Sequence, residues 1–160
     1  MSASPIVKYG VATPAEIAGL TGLEILQAMI EGRVPAPPMA RTLTFWLTEV
    51  GDGFAVFEGE PGEAFLNPMG GVHGGWALTL IDSACGCAGM TTLPPGARYA
   101  SLETKANFSR PITKDSGRVR CEGRVVSRGR QIISTDAKVL SRDGKVLAHG
   151  TSTLMAFGAK

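Results

Sequence analysis

A single acid lies in an apolar stretch that follows a glycine-rich loop. The segment reads NPMGGVHGGWALTLIDSACG from Asn67 to Gly86, and its one carboxylate is Asp82. Burying a carboxylate as a charge costs several kcal/mol unless polar groups satisfy it. Asp82 therefore indicates either a structural hydrogen bond, such as a cap on a neighbouring backbone group, or a chemical task.

The loop before this acid supplies donors that suit a developing negative charge. Gly74 and Gly75 lack side chains and fall in the first turn of a predicted helix, where backbone N–H groups are free and the helix dipole is positive. Such donors stabilise a carbonyl oxygen that becomes an oxyanion. His73 and Asn67 add polar side chains to the same loop. A phosphate-binding loop is the competing interpretation, but the glycine spacing matches neither G-x-G-x-x-G nor the P-loop.

The elements that position these residues are one buried helix and a set of strands. Trp76 to Met90 is apolar, rich in small residues and long enough for a buried helix. Alternating residues from Leu43 and the turn Asp52-Gly53 predict a hairpin before it. Four further strands separated by turn residues predict an antiparallel meander, at about 99–108, 118–127, 131–141 and 146–157. This order of elements predicts the α+β class.

An additional helix is predicted at the N-terminus. Thr13-Pro14-Ala15-Glu16 reads as a capping box with proline at the first helical position, and apolar residues recur at helical spacing to about Gly32. The following VPAPP at 34–38 cannot continue a helix. We therefore expect residues 1–38 to form a helical extension that docks on a domain spanning residues 39–160.

Composition limits the partners. A formal net charge of +2 and a pI of about 8.5 are too small and too scattered a bias for nucleic acid as the main partner. No apolar run approaches the ~20 residues of a membrane span, and the N-terminus lacks the features of a signal peptide, so we expect a cytoplasmic protein with no membrane contact. The three cysteines match no metal or disulfide spacing, so we expect inert core thiols and no metal.

Two segments together resemble a known family. NPMGGVHGGWALTLID, followed at a distance by ASLETKANFSRP, is similar to the hotdog-fold acyl-CoA thioesterases. The resemblance is closest to the phenylacetate-pathway and 4-hydroxybenzoyl-CoA (Arthrobacter-type) branch and extends from about Met39 to Phe157. It implies an antiparallel sheet wrapped around a long central helix, assembled as a homodimer or a dimer of dimers.

The resemblance also implies roles for individual residues. Asp82 occupies the position of the family's catalytic carboxylate. Ser101 matches a hydroxyl position that helps to hold the attacking water; related enzymes place this hydroxyl on the helix four residues after the acid, where this chain has Gly86. The loop whose side chains and backbone amide bind the thioester carbonyl or order the water matches Asn67, His73 and Gly74.

Helix geometry indicates that one subunit cannot build this site alone. His73 and Asp82 are nine residues apart, about 13 Å along one helix, which is too far for both to act on one carbonyl. A two-fold dimer with antiparallel helices would bring Gly74 of one subunit near Asp82 of the other. The expected reaction is hydrolysis of an aromatic or medium-chain acyl-CoA, with the Gly74 amide on the carbonyl and Asp82 as general base or nucleophile. No cofactor is expected, because coenzyme A is part of the substrate.

Coenzyme A would also bring phosphates to the protein. The turn Ser127-Arg128-Gly129-Arg130 offers two guanidinium groups that suit phosphate, and we expect Gly75, Arg128, Gly129 and Arg130 to contact substrate. A solvated hairpin turn explains the same arginines. Further basic candidates of lower rank are Arg110 and Lys105, whereas His149 is expected to be structural.

Two other functional classes remain open at this point. The first is a hotdog domain that binds acyl-CoA without hydrolysing it, although binding alone needs no acid at Asp82. The second is a hotdog enoyl-CoA hydratase or dehydratase, an enzyme class that arranges its histidine and acid differently.

Overall fold

The computed structural model of the protein describes residues 8–158. Its helices are α1 (Pro14–Ile17), α2 (Gly22–Ile30), α3 (Pro38–Thr42) and α4 (Gly74–Met90). Its strands are β1 (Phe45–Gly51), β2 (Phe54–Gly59), β3 (Arg98–Phe108), β4 (Val119–Arg128), β5 (Ile132–Leu140) and β6 (Val146–Phe157). A short 3₁₀ turn covers Glu63–Phe65.

The six strands form one antiparallel sheet in the order β1-β2-β4-β5-β6-β3. Helix α4 packs against all six strands on one face, and Leu80, Ile81 and Ala84 on this helix are completely buried. This confirms the predicted α+β hotdog fold, with the sheet wrapped around a long central helix. The four strands after α4 begin and end within about one residue of their predicted limits.

Glycine residues let the sheet approach α4 closely. A Cβ at Gly123 of β4 would lie 2.3 Å from the Ala84 carbonyl oxygen, and one at Gly89 of α4 would lie 2.3 Å from a Leu154 methyl carbon. Backbone atoms of Ala84 leave no room for a side chain at Gly123, whereas a Cβ at Gly89 would have to displace the buried Leu154 side chain. The small residues of the helix and the strand glycine therefore set the distance at which the sheet supports the acid-bearing helix.

The N-terminal helix differs from the prediction because it is broken. The capping box at Thr13 starts only the four-residue α1, and a second capping box between Thr21 and Glu24 starts α2. The segment between α1 and α2 contains Gly19, whose φ of +74° is incompatible with a right-handed helix. Helix α2 packs against β1, and its Leu26 joins the main core.

The start of the first strand also differs from the prediction. Helix α3 occupies residues up to Thr42, and β1 begins at Phe45 rather than near Leu43. The expected alternation of exposed and buried residues fails because Phe45, Trp46 and Leu47 are all buried. The Arg118 guanidinium covers the outer face of Trp46 at 4.8 Å from the ring centre, so an outward-facing indole is shielded from water.

None of the helices among residues 8–158 is long and apolar enough to cross a membrane.

Candidate active site

The Asp82 side chain is held by hydroxyl groups from the edge strand β3. Its Oδ1 accepts hydrogen bonds from Ser101 Oγ at 3.0 Å and Thr104 Oγ1 at 2.7 Å. No group within residues 8–158 donates to Oδ2. The helix thus presents a half-buried carboxylate with one oxygen fixed and the other open, and it does not cap a backbone group as the structural interpretation required.

Thr104 is a site residue that the sequence did not reveal. Its Oγ1 lies 3.0 Å from the buried Ser152 Oγ, which in turn lies 2.7 Å from the Glu103 carbonyl oxygen. A hydroxyl carries one proton, and Thr104 donates its proton to Asp82. Ser152 therefore donates its proton either to Thr104 Oγ1 or to the Glu103 carbonyl oxygen. The Asp82 carboxylate is therefore oriented by Thr104, whose own hydroxyl lies beside the buried Ser152.

A β-bulge explains why Thr104 was missed. Side chains alternate along a strand, so Ser101 and Thr104, three residues apart, should point to opposite faces. The register shifts between Ser101 and Glu103, and Ser101 and Thr104 then pair with the buried Leu154 and Ser152. The extra residue in β3 turns both hydroxyls towards α4.

The space beside Gly86 is filled by a tyrosine hydroxyl. A Cβ at Gly86 would lie 2.6 Å from the Tyr99 hydroxyl oxygen, so the phenol occupies the volume that a side chain at this helix position would need. Within the described residues the hydroxyl has no hydrogen-bond partner. Burial, with the nearby Cys87 and Asp82 adding to it, raises the pKa of Tyr99 above its ordinary value, so the hydroxyl stays protonated at neutral pH.

Only one of the two predicted loop amides is free. His73 is the N-cap of α4, and its Nδ1 accepts the Gly75 N–H at 3.0 Å. Within residues 8–158 the Gly74 N–H has no hydrogen-bond acceptor. The expectation that both amides are available is therefore wrong for Gly75, because the histidine side chain satisfies that donor, and Gly74 alone keeps a free N–H at the positive end of the helix.

Two further contacts shape the surroundings of Gly74. Asn67 braces the preceding loop, since its Oδ1 accepts the backbone N–H groups of Met69 at 2.9 Å and Gly71 at 3.3 Å. The Phe108 ring lies over Gly74, where a Cβ would be 2.9 Å from the ring. His73 and Gly74 border a cavity of about 430 Å³. Its other walls include Phe108, Arg110, Ile112 and Leu147.

The Arg128 turn lies apart from Asp82. Arg128 stands in the same cross-strand row as Ser101, three strands away, which corresponds to roughly 14 Å at strand spacing. Its guanidinium bonds to the carbonyl oxygens of Gly129 and Arg130 and to Thr92 Oγ1. Arg128 therefore holds the turn together, and Arg130 is left as its exposed cation.

The remaining basic candidates do not line the cavity that Asp82 and Cys87 border. Arg110 donates to the Val146 carbonyl oxygen at 2.7 Å beside the His73 cavity. Lys105 is exposed on β3, and His149 is exposed on β6 opposite Asn107 and Lys138.

The cysteines do not supply a nucleophile. Cys85 and Cys121 are buried in the core, and Cys87 borders the cavity next to Asp82. Burial, reinforced by the Asp82 charge, raises the pKa of Cys87 to about 12. A thiol with this pKa is almost entirely protonated at neutral pH and is a poor nucleophile.

Comparison with known proteins gives the family. The thioesterase superfamily model matches residues 69–148, half of the chain, a range that includes His73, Gly74, Asp82 and Ser101. The chain belongs to the thioesterase superfamily. Membership confirms the prediction of a thioester hydrolase. No curated protein matches the chain.

Solved structures are similar to this superfamily member over most of its length. A phenylacetic acid degradation-related protein from Ralstonia eutropha is 31% identical, with a TM-score of 0.74; the match covers 82% of this chain and 98% of that one. A thioesterase family protein from Silicibacter pomeroyi is 29% identical, with a TM-score of 0.70 and coverage of 76% and 90%. A thioesterase from Haemophilus influenzae, 21% identical with a TM-score of 0.70 and coverage of 75% and 82%, shares the fold.

Proposed function

We propose that this thioesterase-superfamily chain hydrolyses acyl-CoA and that Asp82 is its catalytic carboxylate. The observation that carries the proposal is the state of this side chain: Oδ1 is fixed by Ser101 and Thr104, and Oδ2 has no partner within the described residues. An oriented carboxylate with one open oxygen is suited to activate a water molecule or to attack a thioester carbon.

The proposal requires two subunits. Gly74 has the free amide and Asp82 the free carboxylate oxygen, but they lie eight residues apart on α4, about 12 Å. A two-fold related copy with its helix antiparallel would place its own Gly74 opposite this Asp82. We propose this homodimer as the active unit, with a dimer of dimers as the larger assembly.

The free edge of the sheet supports such a dimer. Strand β3 is an edge strand of 11 residues that is mostly exposed, and it carries the exposed Leu102 between Ser101 and Thr104. Long, unprotected edge strands tend to pair with another chain. Pairing β3 with its own copy would extend the sheet and place the Asp82 region next to the partner.

In the proposed reaction the thioester carbonyl oxygen accepts the Gly74 N–H of one subunit. Asp82 of the other subunit takes a proton from water as the water oxygen attacks the carbonyl carbon, which gives the free acid directly. Alternatively Asp82 attacks that carbon itself and forms a mixed anhydride, which water then hydrolyses to the free acid and the regenerated carboxylate. The oxyanion collapses, the C–S bond breaks, and coenzyme A leaves as a thiolate that is then protonated. One hydrogen bond to the oxyanion contributes about 3 kcal/mol. A thiolate is a good leaving group, so no strong general acid is required.

Other residues have supporting roles in this proposal. His73 and Asn67 fix the loop that presents Gly74, while Arg130 and the exposed backbone at Gly129 meet the coenzyme A phosphates on the turn that Arg128 braces. The name of the Ralstonia protein supports an aromatic acyl group. Medium-chain acyl groups are the alternative substrates that we propose. The three unpaired cysteines suit a reducing compartment, so we place the reaction in the cytoplasm.

Mixed dimers test the proposal directly. Asp82→Asn and Gly74→Pro are each expected to be inactive alone when release of coenzyme A is measured on a panel of acyl-CoAs. Coexpressed, they should form heterodimers in which one of the two sites keeps both Asp82 and Gly74. With half of the dimers mixed, about a quarter of wild-type activity should return. Recovery of no activity would show that the two residues do not form a shared site.

A further inference from the structure

A second cavity reaches Asp82 from the side of the N-terminal segment. Its volume is about 430 Å³, and residues 10–38 form much of its wall. Helix α2 contributes Ile25, Leu26 and Met29, the sheet contributes Phe45 and Phe57, and α4 contributes Asp82. A single subunit therefore has a cavity whose wall includes the proposed catalytic carboxylate.

The described side chains that line this cavity are mostly apolar. Among the described residues that line it, Asp82 has the only charged side chain, and the other polar groups are Ser83, the Cys87 thiol and the unpartnered Tyr99 hydroxyl. Pockets that bind small molecules are mostly apolar with a few placed polar groups. None of the lining residues within 8–158 is a cation that could pair with a negatively charged ligand.

An adjoining cavity of about 480 Å³ shares part of the same wall. Ile17, Ile25, Met90 and Tyr99 line both cavities, and Arg98 lies at the second one. Of the described residues that line the two cavities, Arg98 is therefore the only cation that a negatively charged ligand could meet. Hydrolysis of charged and uncharged acyl groups can therefore be compared to test which of the two cavities the acyl group occupies.

Residues 10–38 lie outside the region that the superfamily model matches. That model begins at residue 69, whereas residues 10–38 form much of the wall of the cavity that Asp82 lines.

We infer that residues 10–38 build an acyl pocket in each subunit, and that this pocket selects uncharged, apolar acyl groups whose carbonyl carbon reaches Asp82. The inference rests on the proposed function, because it takes Asp82 as the reacting end of the cavity. The pocket accepts both straight-chain and aromatic acyl groups, whereas it disfavours acyl groups that end in a carboxylate.

Acyl chain length and charge provide the first test. Each added methylene that enters the pocket should raise kcat/KM by about fourfold until the cavity is filled. An acyl-CoA with a terminal carboxylate should be hydrolysed at least tenfold more slowly than the uncharged acyl-CoA of equal length. A preference for the carboxylate-ended substrate would overturn the inference and point to the Arg98 cavity instead.

Filling the pocket provides the second test. Met29→Trp places a large ring in the cavity, and it should lower kcat/KM for the best long or aromatic substrate at least tenfold while acetyl-CoA changes less than threefold. Leu23→Trp is the matched control, since Leu23 lies on the same helix but does not line either cavity. Ile25→Phe serves as a second filling variant if Met29→Trp does not fold. Equal losses on short and long substrates would contradict the inference.

A binding measurement separates this inference from the proposed function. The Asp82→Asn variant should bind uncharged acyl-CoAs more tightly as the chain lengthens, as measured by calorimetry without turnover. Length-dependent binding with no hydrolysis by the wild type would refute the proposed function and leave the pocket standing. Hydrolysis by the wild type with no dependence on acyl length or charge would refute the pocket alone.

Discussion

The Thr104 hydroxyl donates a 2.7 Å hydrogen bond to Asp82, and the buried Ser152 supports that hydroxyl from the opposite strand. A hydrogen bond to a charged group contributes about 1.5–3 kcal/mol. If Asp82 acts in the chemical step, its orientation by Thr104 should appear in the rate of that step rather than in substrate affinity.

We therefore expect Thr104→Val to lower kcat by roughly 10- to 100-fold with KM nearly unchanged. Ser101→Ala should show a smaller loss, because its bond to the same oxygen is longer and lies in an exposed position. Thr151→Val is the matched control, since this hydroxyl is exposed on the neighbouring strand. A normal kcat for Thr104→Val would show that the hydrogen bond serves the fold alone.

The Gly74 amide can be removed without removing the helix. Gly74 is the first residue of α4, where proline is well tolerated, and the extended His73 backbone (φ −60°, ψ 134°) suits a following proline. Gly74→Pro should lower kcat by about 10²–10³-fold, as loss of an oxyanion donor does. Gly74→Ala keeps the amide but adds the same Cβ beside Phe108, so it should lose less than tenfold. Similar losses in both variants would assign the effect to crowding.

His73 is expected to act through the helix it caps. Replacing an N-cap with alanine costs about 1 kcal/mol, whereas asparagine accepts the same kind of hydrogen bond. His73→Ala should therefore lower the free energy of unfolding in urea by about that amount, and His73→Asn should stay near the wild type. If asparagine destabilises the protein as much as alanine does, the Nδ1 contact to Gly75 does not stabilise α4.

Thiol chemistry should follow pH as the raised pKa values require. Burial raises the pKa of Cys85 to about 11, and burial with the Asp82 charge raises that of Cys87 to about 12. At pH 7.5 fewer than about one thiol in a thousand is then ionised, so iodoacetamide should not inactivate the enzyme. Alkylation of Cys87, followed by mass spectrometry, should accelerate as the pH rises towards 10. Rapid alkylation with loss of activity at pH 7.5 would contradict this assignment.

Much of the scaffold could be predicted because its signals are local. The turn residues between the later strands place β3 to β6 within about one residue of their limits. The apolar run before Met90 places the end of α4, although the helix begins at Gly74, two residues before the predicted Trp76. The N-terminal region was harder. The sequence predicts one helix to about Gly32, but the positive φ of Gly19 and the second capping box at Thr21 end one helix and begin another. Arg118, distant in sequence, lies over the buried Trp46, and a local pattern cannot reveal such a contact.

The site was predictable only where a motif contains it. Asp82, His73 and Gly74 lie in one continuous segment, and the structure places them on or next to α4 as expected. Thr104 depends on a bulge that strand periodicity cannot reveal. The difference between Gly74 and Gly75 depends on the side-chain conformation of His73. The place of Tyr99 beside Gly86 depends on how β3 packs on α4, and the sequence contains no local signal for it.

The most direct test of the central claim is steady-state release of coenzyme A by the wild type and by Asp82→Asn, with the loop variant Asp115→Asn as control. We expect the wild type to turn over at least one uncharged acyl-CoA. Asp82→Asn should lose at least a hundredfold in kcat with little change in KM, and Asp115→Asn should match the wild type. An Asp82→Asn variant that retains wild-type kcat would contradict the assignment of Asp82 as the catalytic carboxylate.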